Sequence, residues 1–289
     1  MKSGFVNIFG KPNAGKSTLL NALLGEKLAI VSPKVQTTRH RIKGFLTKPD
    51  EYQIIFSDTP GIIEAKYKLH EKMMGAVKSA LEDADIALLI VDVNDDLVEC
   101  DAIFTQLKLK APCLLVLNKI DQAKNGKIVE AESFFAEKSY VKKLIKISAL
   151  EQHHLQKLLR AIIELLPEGE PFYSGEDLSD LPTKFFVSEI IREKIYQLFE
   201  DEIPYHVAVL INEFKEKETL VKIQADIIVQ RETQKVILIG EKGSKVKQIG
   251  TLARQDIEKF IEQKVFLELF IKVKPKWRDN ELQLREYGY

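Results

Sequence analysis

Along the first 167 residues, short apolar runs alternate with stretches whose apolar residues recur every three to four positions. Residues 5–9 form a buried-type run, and residues 19–24 have helical spacing. Residues 41–48 and 52–57 read as two strands separated by a Pro49-Asp50-Glu51 turn, followed by a helix over about 68–82. The almost wholly apolar residues 86–91 and 113–117 have the pattern of strands covered on both faces, with a helix over 102–110 between them. A last strand at 144–147 and an amphipathic helix at 155–166 complete the series, which predicts an α/β domain with a mostly parallel sheet over residues 1–168. Residues 169–182 are rich in Pro, Gly and acid without a sustained period and read as a linker, or as a solvated strap across the first domain. The rhythm then changes: helical spacing over 184–199, strand-like runs at 206–214 and 220–229, an apolar run at 236–239, a helix to about 262 and a strand at 265–273. Residues 183–289 thus predict a smaller α+β domain that ends in a short helix over 279–289.

Polar residues with chemical potential stand at the ends of the apolar runs of the first half. Gly10-Lys11-Pro12-Asn13-Ala14-Gly15-Lys16-Ser17-Thr18 follows the first strand and opens the first helix, the spacing of a phosphate loop. Its glycines let backbone N–H groups turn toward a β-phosphate, Lys16 reaches the β/γ oxygens, and the Ser17 hydroxyl suits Mg²⁺. Asp58-Thr59-Pro60-Gly61 ends another strand, where Asp58 can hold the water shell of magnesium and the Gly61 N–H can approach a γ-phosphate. Asn118-Lys119-Ile120-Asp121 ends the 113–117 run. A carboxylate at Asp121 accepts from N1–H and the exocyclic amino group of guanine, two donors that adenine lacks in that place. Ser148-Ala149 after the last strand offers backbone to the guanine O6. Residues 33–41, which include Thr37 and Thr38, show no period and read as a mobile loop.

In the second half, Gly240-Glu241-Lys242-Gly243 lies between an apolar run and a helix. Two glycines let a sugar-phosphate backbone lie against such a turn, and Lys242, Lys245, Lys247 and Arg231 supply local positive charge. Trp277, set among Lys272, Lys274, Lys276 and Arg278, is suited either to stacking on an unpaired base or to capping the core.

Bulk composition adds exclusions. With 43 basic and 43 acidic residues the chain is neutral, so only these local clusters argue for nucleic acid. No stretch reaches the roughly 18 to 20 uninterrupted apolar residues of a membrane span, and no signal segment precedes the first strand, which leads to the expectation of a cytoplasmic protein. Cys100 and Cys113 have neither metal-ligand nor redox spacing and read as packing residues; the adjacent His153 and His154 read as solvated.

Five motifs in order, each at a strand end, make residues 3–167 similar to a Ras-type P-loop GTPase domain, and the second half resembles a type II KH domain, an RNA-binding fold. The Ras-type resemblance implies GTP/GDP and Mg²⁺ as ligands, with Ser17, Asp58 and either Thr37 or Thr38 on the metal; paired threonines in that family favour Thr38. Lys16, Thr38, Gly61 and Asn13 are the implied catalytic set. Ile62 stands where Ras-like proteins carry the water-orienting glutamine, so slow intrinsic hydrolysis is expected. GTPases with a hydrophobic residue there often hold K⁺ through a phosphate-loop asparagine, the place Asn13 occupies, which implies potassium stimulation. With the Pro-Asn phosphate loop, Gln36-Thr37-Thr38-Arg39 and the KH-like half, nearly the whole chain resembles the Era family of bacterial GTPases. That resemblance implies a monomeric GTP-dependent switch that binds the 3′ end of small-subunit (16S) ribosomal RNA and assists maturation of the small ribosomal subunit, with peripheral contact to the inner membrane as a further family property. The alternative is a GTPase whose turnover drives RNA modification or remodelling.

Overall fold

The computed structural model describes all residues from 1 to 289 and divides into two compact units, Met1–Ala65 with Lys72–Asp180 and Lys66–Glu71 with Leu181–Tyr289. In the first unit, strands β1 (Lys2–Phe9), β2 (Ile42–Lys48), β3 (Tyr52–Asp58), β4 (Ile86–Asp92), β5 (Cys113–Asn118) and β6 (Val141–Lys146) form one sheet in the order β2-β3-β1-β4-β5-β6. Only β2 runs antiparallel to its neighbour. Helices α1 (Lys16–Leu24), α2 (Lys68–Glu82), α3 (Leu97–Gln106) and α4 (Lys127–Ala136) connect the strands, and α5 (Leu155–Leu165) follows the last of them. The continuous apolar runs have their physical reason here: β4 and β5 lie in the middle of the sheet and every residue from Ile86 to Val91 and from Cys113 to Asn118 is buried. The carboxyl ends of β1, β3 and β5 deliver the phosphate loop, Asp58 and Asn118 to one edge of the sheet, where open α/β sheets take their ligands.

Residues 169–180, most of the stretch read as a linker or strap, belong to the first unit, as do residues 167 and 168 before them. Ser3 N–H donates to the Pro167 carbonyl (3.1 Å), and Phe45 N–H on the outer strand β2 donates to the Leu178 carbonyl (2.9 Å). Buried Gln53 accepts from Phe172 N–H (2.7 Å) and Tyr173 N–H (3.0 Å) and donates to the Tyr173 carbonyl (2.9 Å). The Tyr173 ring stacks on Phe45 at 3.9 Å between centroids. This strap covers an edge strand that would otherwise present unpaired backbone groups.

The second unit orders as α6 (Thr183–Leu198), β7 (Ala208–Glu216), β8 (Val221–Val229), α7 (Glu232–Ile239), α8 (Ser244–Ile261), β9 (Val265–Val273) and α9 (Glu281–Glu286), with the sheet β7-β8-β9. Alternate residues of β8, from Val221 to Val229, meet Val187, Ile191 and Ile195 of α6 and Ile249, Ala253 and Ile257 of α8 in the core. The apolar run at 236–239 is the end of a helix, α7: four apolar residues carry no period long enough to separate helix from strand.

Candidate functional site

The phosphate loop is built around two close approaches. A side chain at Gly10 would meet the Ile90 carbonyl at 2.5 Å, and one at Gly15 would meet Asn118 Nδ2 at 2.2 Å; Gly15 also has φ of 102°. Asn118 occupies that space with purpose: its Nδ2 donates to the Ala14 carbonyl (2.9 Å) and its Oδ1 accepts from Ala149 N–H (3.0 Å). One buried amide thus joins the phosphate loop to the Ser148-Ala149 turn.

Lys16 is buried at the first turn of α1. Its ammonium donates to the Lys11 carbonyl (2.7 Å) and the Gly10 carbonyl (3.1 Å). Burial lowers its pKa to about 8, against the opposing attraction of Asp58. Asp58 is wholly buried, which pushes its carboxyl up, while Lys16, Ser17 and Thr38 pull the other way. Ser17 Oγ (2.6 Å) and Thr38 Oγ1 (3.0 Å) both donate to Asp58 Oδ2, and the two hydroxyls lie 2.8 Å apart. Thr37 turns away, its hydroxyl donating to the Lys34 carbonyl (2.6 Å). Asp58 Oδ1 is buried without a hydrogen-bond partner. Two hydroxyls and a carboxylate with a spare oxygen make a hard-donor set suited to a small divalent cation.

Gly61 lies against Pro12, where a side chain would meet Pro12 Cα at 2.9 Å, and Ile62 N–H donates to the Gly10 carbonyl (3.3 Å). Thr59 Oγ1 donates to the Ile8 carbonyl (2.7 Å). The Ile62 side chain packs against the apolar cluster that includes Phe9, Val91 and Leu97. Asn13 is exposed at φ of 64°, and its Nδ2 donates to the Pro33 carbonyl (2.6 Å). Lys119 pairs with Asp92 at 2.7 Å, while Asp121 is exposed beside it. Pro12, Asn13, Gly15 to Thr18, Thr38, Gly61, Asn118 and Lys119 line one cleft of about 420 Å³, to which Ile30 to Lys34, Gln122 and Leu150 also contribute. Ile30 to Ser32 and Gln122 had no signal in the sequence, because loop residues join a cleft only through tertiary folding.

In the second unit Gly240 (φ 70°), Lys242 (φ 49°) and Gly243 (φ 79°) form the turn between α7 and α8. Glu241, Lys242, Lys245, Lys247 and Arg231 are exposed. Beside the turn, Val246, Lys247, Gly250, Thr251 and Arg254 of α8 face Leu267 and Leu269 of β9 across a groove of about 320 Å³. Sequence reading missed this groove, although the i, i+4 spacing of Val246, Gly250 and Arg254 puts them on one helix face. Of the two readings of Trp277, the structure favours capping the core over contact with nucleic acid. The residue is wholly buried, its indole N–H donates to the His206 carbonyl (3.1 Å), and it packs on Tyr287 and Tyr289, so neither ring face is open to a base. Lys138, Lys143 and Lys146 pair with Asp101, Glu164 and Glu132.

The family model of a "50S ribosome-binding GTPase" matches residues 5–119, and that of a KH domain matches residues 202–278. GTPase Era of Geobacter sp. (strain M21) is 45% identical over 291 residues, covering 100% of this chain and 98% of the relative. The chain belongs to the Era family of GTPases. GTPase Era of Clostridium kluyveri is 42% identical, with 100% and 99% covered. Among solved structures, an Aquifex aeolicus Era variant bound to GDP.AlF4- superposes with a TM-score of 0.96 at 40% identity, covering 100% of this chain and 99% of that one. Era in complex with MgGDPNP and nucleotides 1506–1542 of 16S ribosomal RNA also gives 0.96, at 41% identity and the same coverage. As a member of this family the chain is a GTPase, with a Ras-like domain and a KH domain.

Proposed function

We propose that this protein is a GTP-dependent switch that binds the 3′ end of small-subunit ribosomal RNA and assists maturation of the small ribosomal subunit. The observation that carries the reading is full-length similarity to an Era solved with both MgGDPNP and 16S nucleotides, across both of the units that would hold them. In this reading the phosphate loop and Lys16 hold the β/γ-phosphates, and the exposed carboxylate of Asp121 accepts from guanine. Ser17, Thr38 and Asp58 would hold Mg²⁺, which would supply positive charge beside the β- and γ-phosphates. Thr38 is preferred over Thr37 because its hydroxyl lies 2.8 Å from that of Ser17, whereas Thr37 bonds Lys34. The Gly240-to-Gly243 turn receives RNA backbone, and the groove between α8 and β9 receives bases against Leu267 and Leu269.

Ile62 lies in apolar contact and has no group to orient water, so intrinsic turnover is slow. A monovalent cation near Asn13 would supply the missing positive charge; the Pro33 carbonyl that Asn13 touches is a second oxygen donor for it. Nucleotide state governs RNA access, because a ligand shifts an equilibrium by its differential affinity for the two states.

One experiment tests these points together: binding of a 3′-terminal 16S oligonucleotide with GDP and with GDPNP, and hydrolysis with and without that oligonucleotide in matched KCl and NaCl. The expected result is a roughly tenfold or larger difference in RNA affinity between nucleotides, and faster hydrolysis with RNA and with K⁺. Equal RNA affinities overturn the switch, and equal rates in the two salts overturn the potassium site.

A further inference from the structure

The mechanism leaves one ionic cluster unused, in which a largely buried Arg41 pairs with Asp83, whose side chain is 40% exposed. Arg41 stands three residues after Thr38, at the entry to β2, and its guanidinium makes a two-toothed contact with Asp83: Nη1 to Oδ2 at 2.6 Å and Nη2 to Oδ1 at 2.9 Å. Its Nε and Nη2 also donate to Ser57 Oγ (3.1 and 2.9 Å), the residue immediately before Asp58. Asn7 of β1, three residues before Gly10, donates through Nδ2 to Asp83 Oδ1 (2.8 Å) and to the Ala80 carbonyl (2.6 Å). Asn7 and Ser57 are wholly buried, and the Arg41 side chain is 11% exposed.

Three of the members belong to segments that lead to the candidate nucleotide site. Arg41 roots the loop that carries Thr38, Ser57 the strand that carries Asp58, and Asn7 the strand that carries the phosphate loop. Asp83 follows the last turn of α2, the helix downstream of Gly61. Planar two-toothed pairing fixes orientation as well as distance, which a single contact does not. A tie that served stability alone would not need to gather these four roots on one guanidinium.

We infer that Arg41 and Asp83 are positioning residues that hold the Thr38 loop and α2 in one register, so that engagement of a γ-phosphate at Thr38 is felt by the helix after Gly61. The inference rests on the Thr38 role proposed above. It predicts discrimination between triphosphate and diphosphate, not nucleotide affinity as such, to depend on the pair.

The test uses the full-length protein with Arg41→Lys, Asp83→Asn and, as a control on the Thr38 reading, Thr38→Ala. Affinities for GDP and GDPNP, single-turnover hydrolysis and melting temperature are measured for each. With Arg41→Lys and Asp83→Asn, GDP affinity is expected to stay within about twofold, while the GDPNP preference and the hydrolysis rate fall roughly tenfold, the middle range for coupled sites. A variant that melts lower but keeps its GDPNP-to-GDP ratio and rate assigns the cluster to stability alone and overturns the inference. Asp83→Asn, which keeps size and the contact with Asn7, covers the case in which Arg41→Lys fails to fold. If Thr38→Ala alone loses discrimination, only this inference fails; if Thr38→Ala keeps it, the Thr38 reading itself fails.

Discussion

Lys16 ties protonation to ligand binding. Burial brings its pKa to about 8, and a bound polyphosphate favours the charged ammonium, raising it again. Nucleotide binding above pH 8 must therefore take up a proton, and affinity should fall by up to about tenfold per pH unit there while remaining flat below about 7. Titration calorimetry in two buffers of different ionisation enthalpy measures the uptake directly; its absence at pH 9 would contradict the assignment. Folding responds with the opposite sign. Between about 8 and the ordinary lysine range the unfolded chain binds more protons at this position, so stability rises with pH. At this scale the sequence made the phosphate loop, Asp58 and Asn118 legible, because short-range spacing alone places them at strand ends. It left Arg41 and Asp83 illegible: 42 residues separate them, and neither carries a local signal beyond charge. Trp277 was half legible. Its basic neighbours suggested nucleic acid, but the His206 carbonyl and the rings of Tyr287 and Tyr289, which decide its burial, come from elsewhere in the chain.

Among the elements, α8 carries the clearest consequence. Gly250 sits inside the helix, where glycine costs about 0.5–1 kcal/mol relative to alanine. A methyl group there would meet Leu269 at 3.5 Å, an ordinary contact, so Gly250→Ala should raise the melting temperature. It should also narrow the groove and weaken binding of the 16S oligonucleotide, with GTP hydrolysis in the absence of RNA unchanged; parallel melting and RNA titrations check both signs. Lys242 and Lys245 offer an independent reading of the same face. Each alanine replacement should reduce the salt slope of RNA binding by about 0.7 if it removes one phosphate contact to a single strand. The long periodic elements were readable in advance because burial on one or both faces writes itself into the order of residues, as in β4, β5 and α8. Helix α7 was not, since its eight residues offer little more than two turns of pattern.

For the molecule as a whole, the division at Asp180 has a practical outcome. A fragment ending at 168, the boundary the composition shift suggests, loses the strap that pairs with Phe45 and fills the hydrogen-bonding capacity of Gln53. It should melt lower and aggregate more readily than a fragment ending at 180, because an uncovered edge strand is a template for further pairing. Thermal melts and light scattering on the two fragments compare them; equal behaviour would mean that the strap is incidental. Composition could not tell strap from linker, since acidic, Pro-rich chain serves either purpose, and the deciding partners Gln53 and Phe45 lie more than a hundred residues earlier. The strap also changes what insertions and deletions should do. Adding or removing one residue between Tyr173 and Leu178 would bring the wrong carbonyl opposite Phe45 while Gln53 still held its end, so this stretch should tolerate changes of residue far better than changes of length.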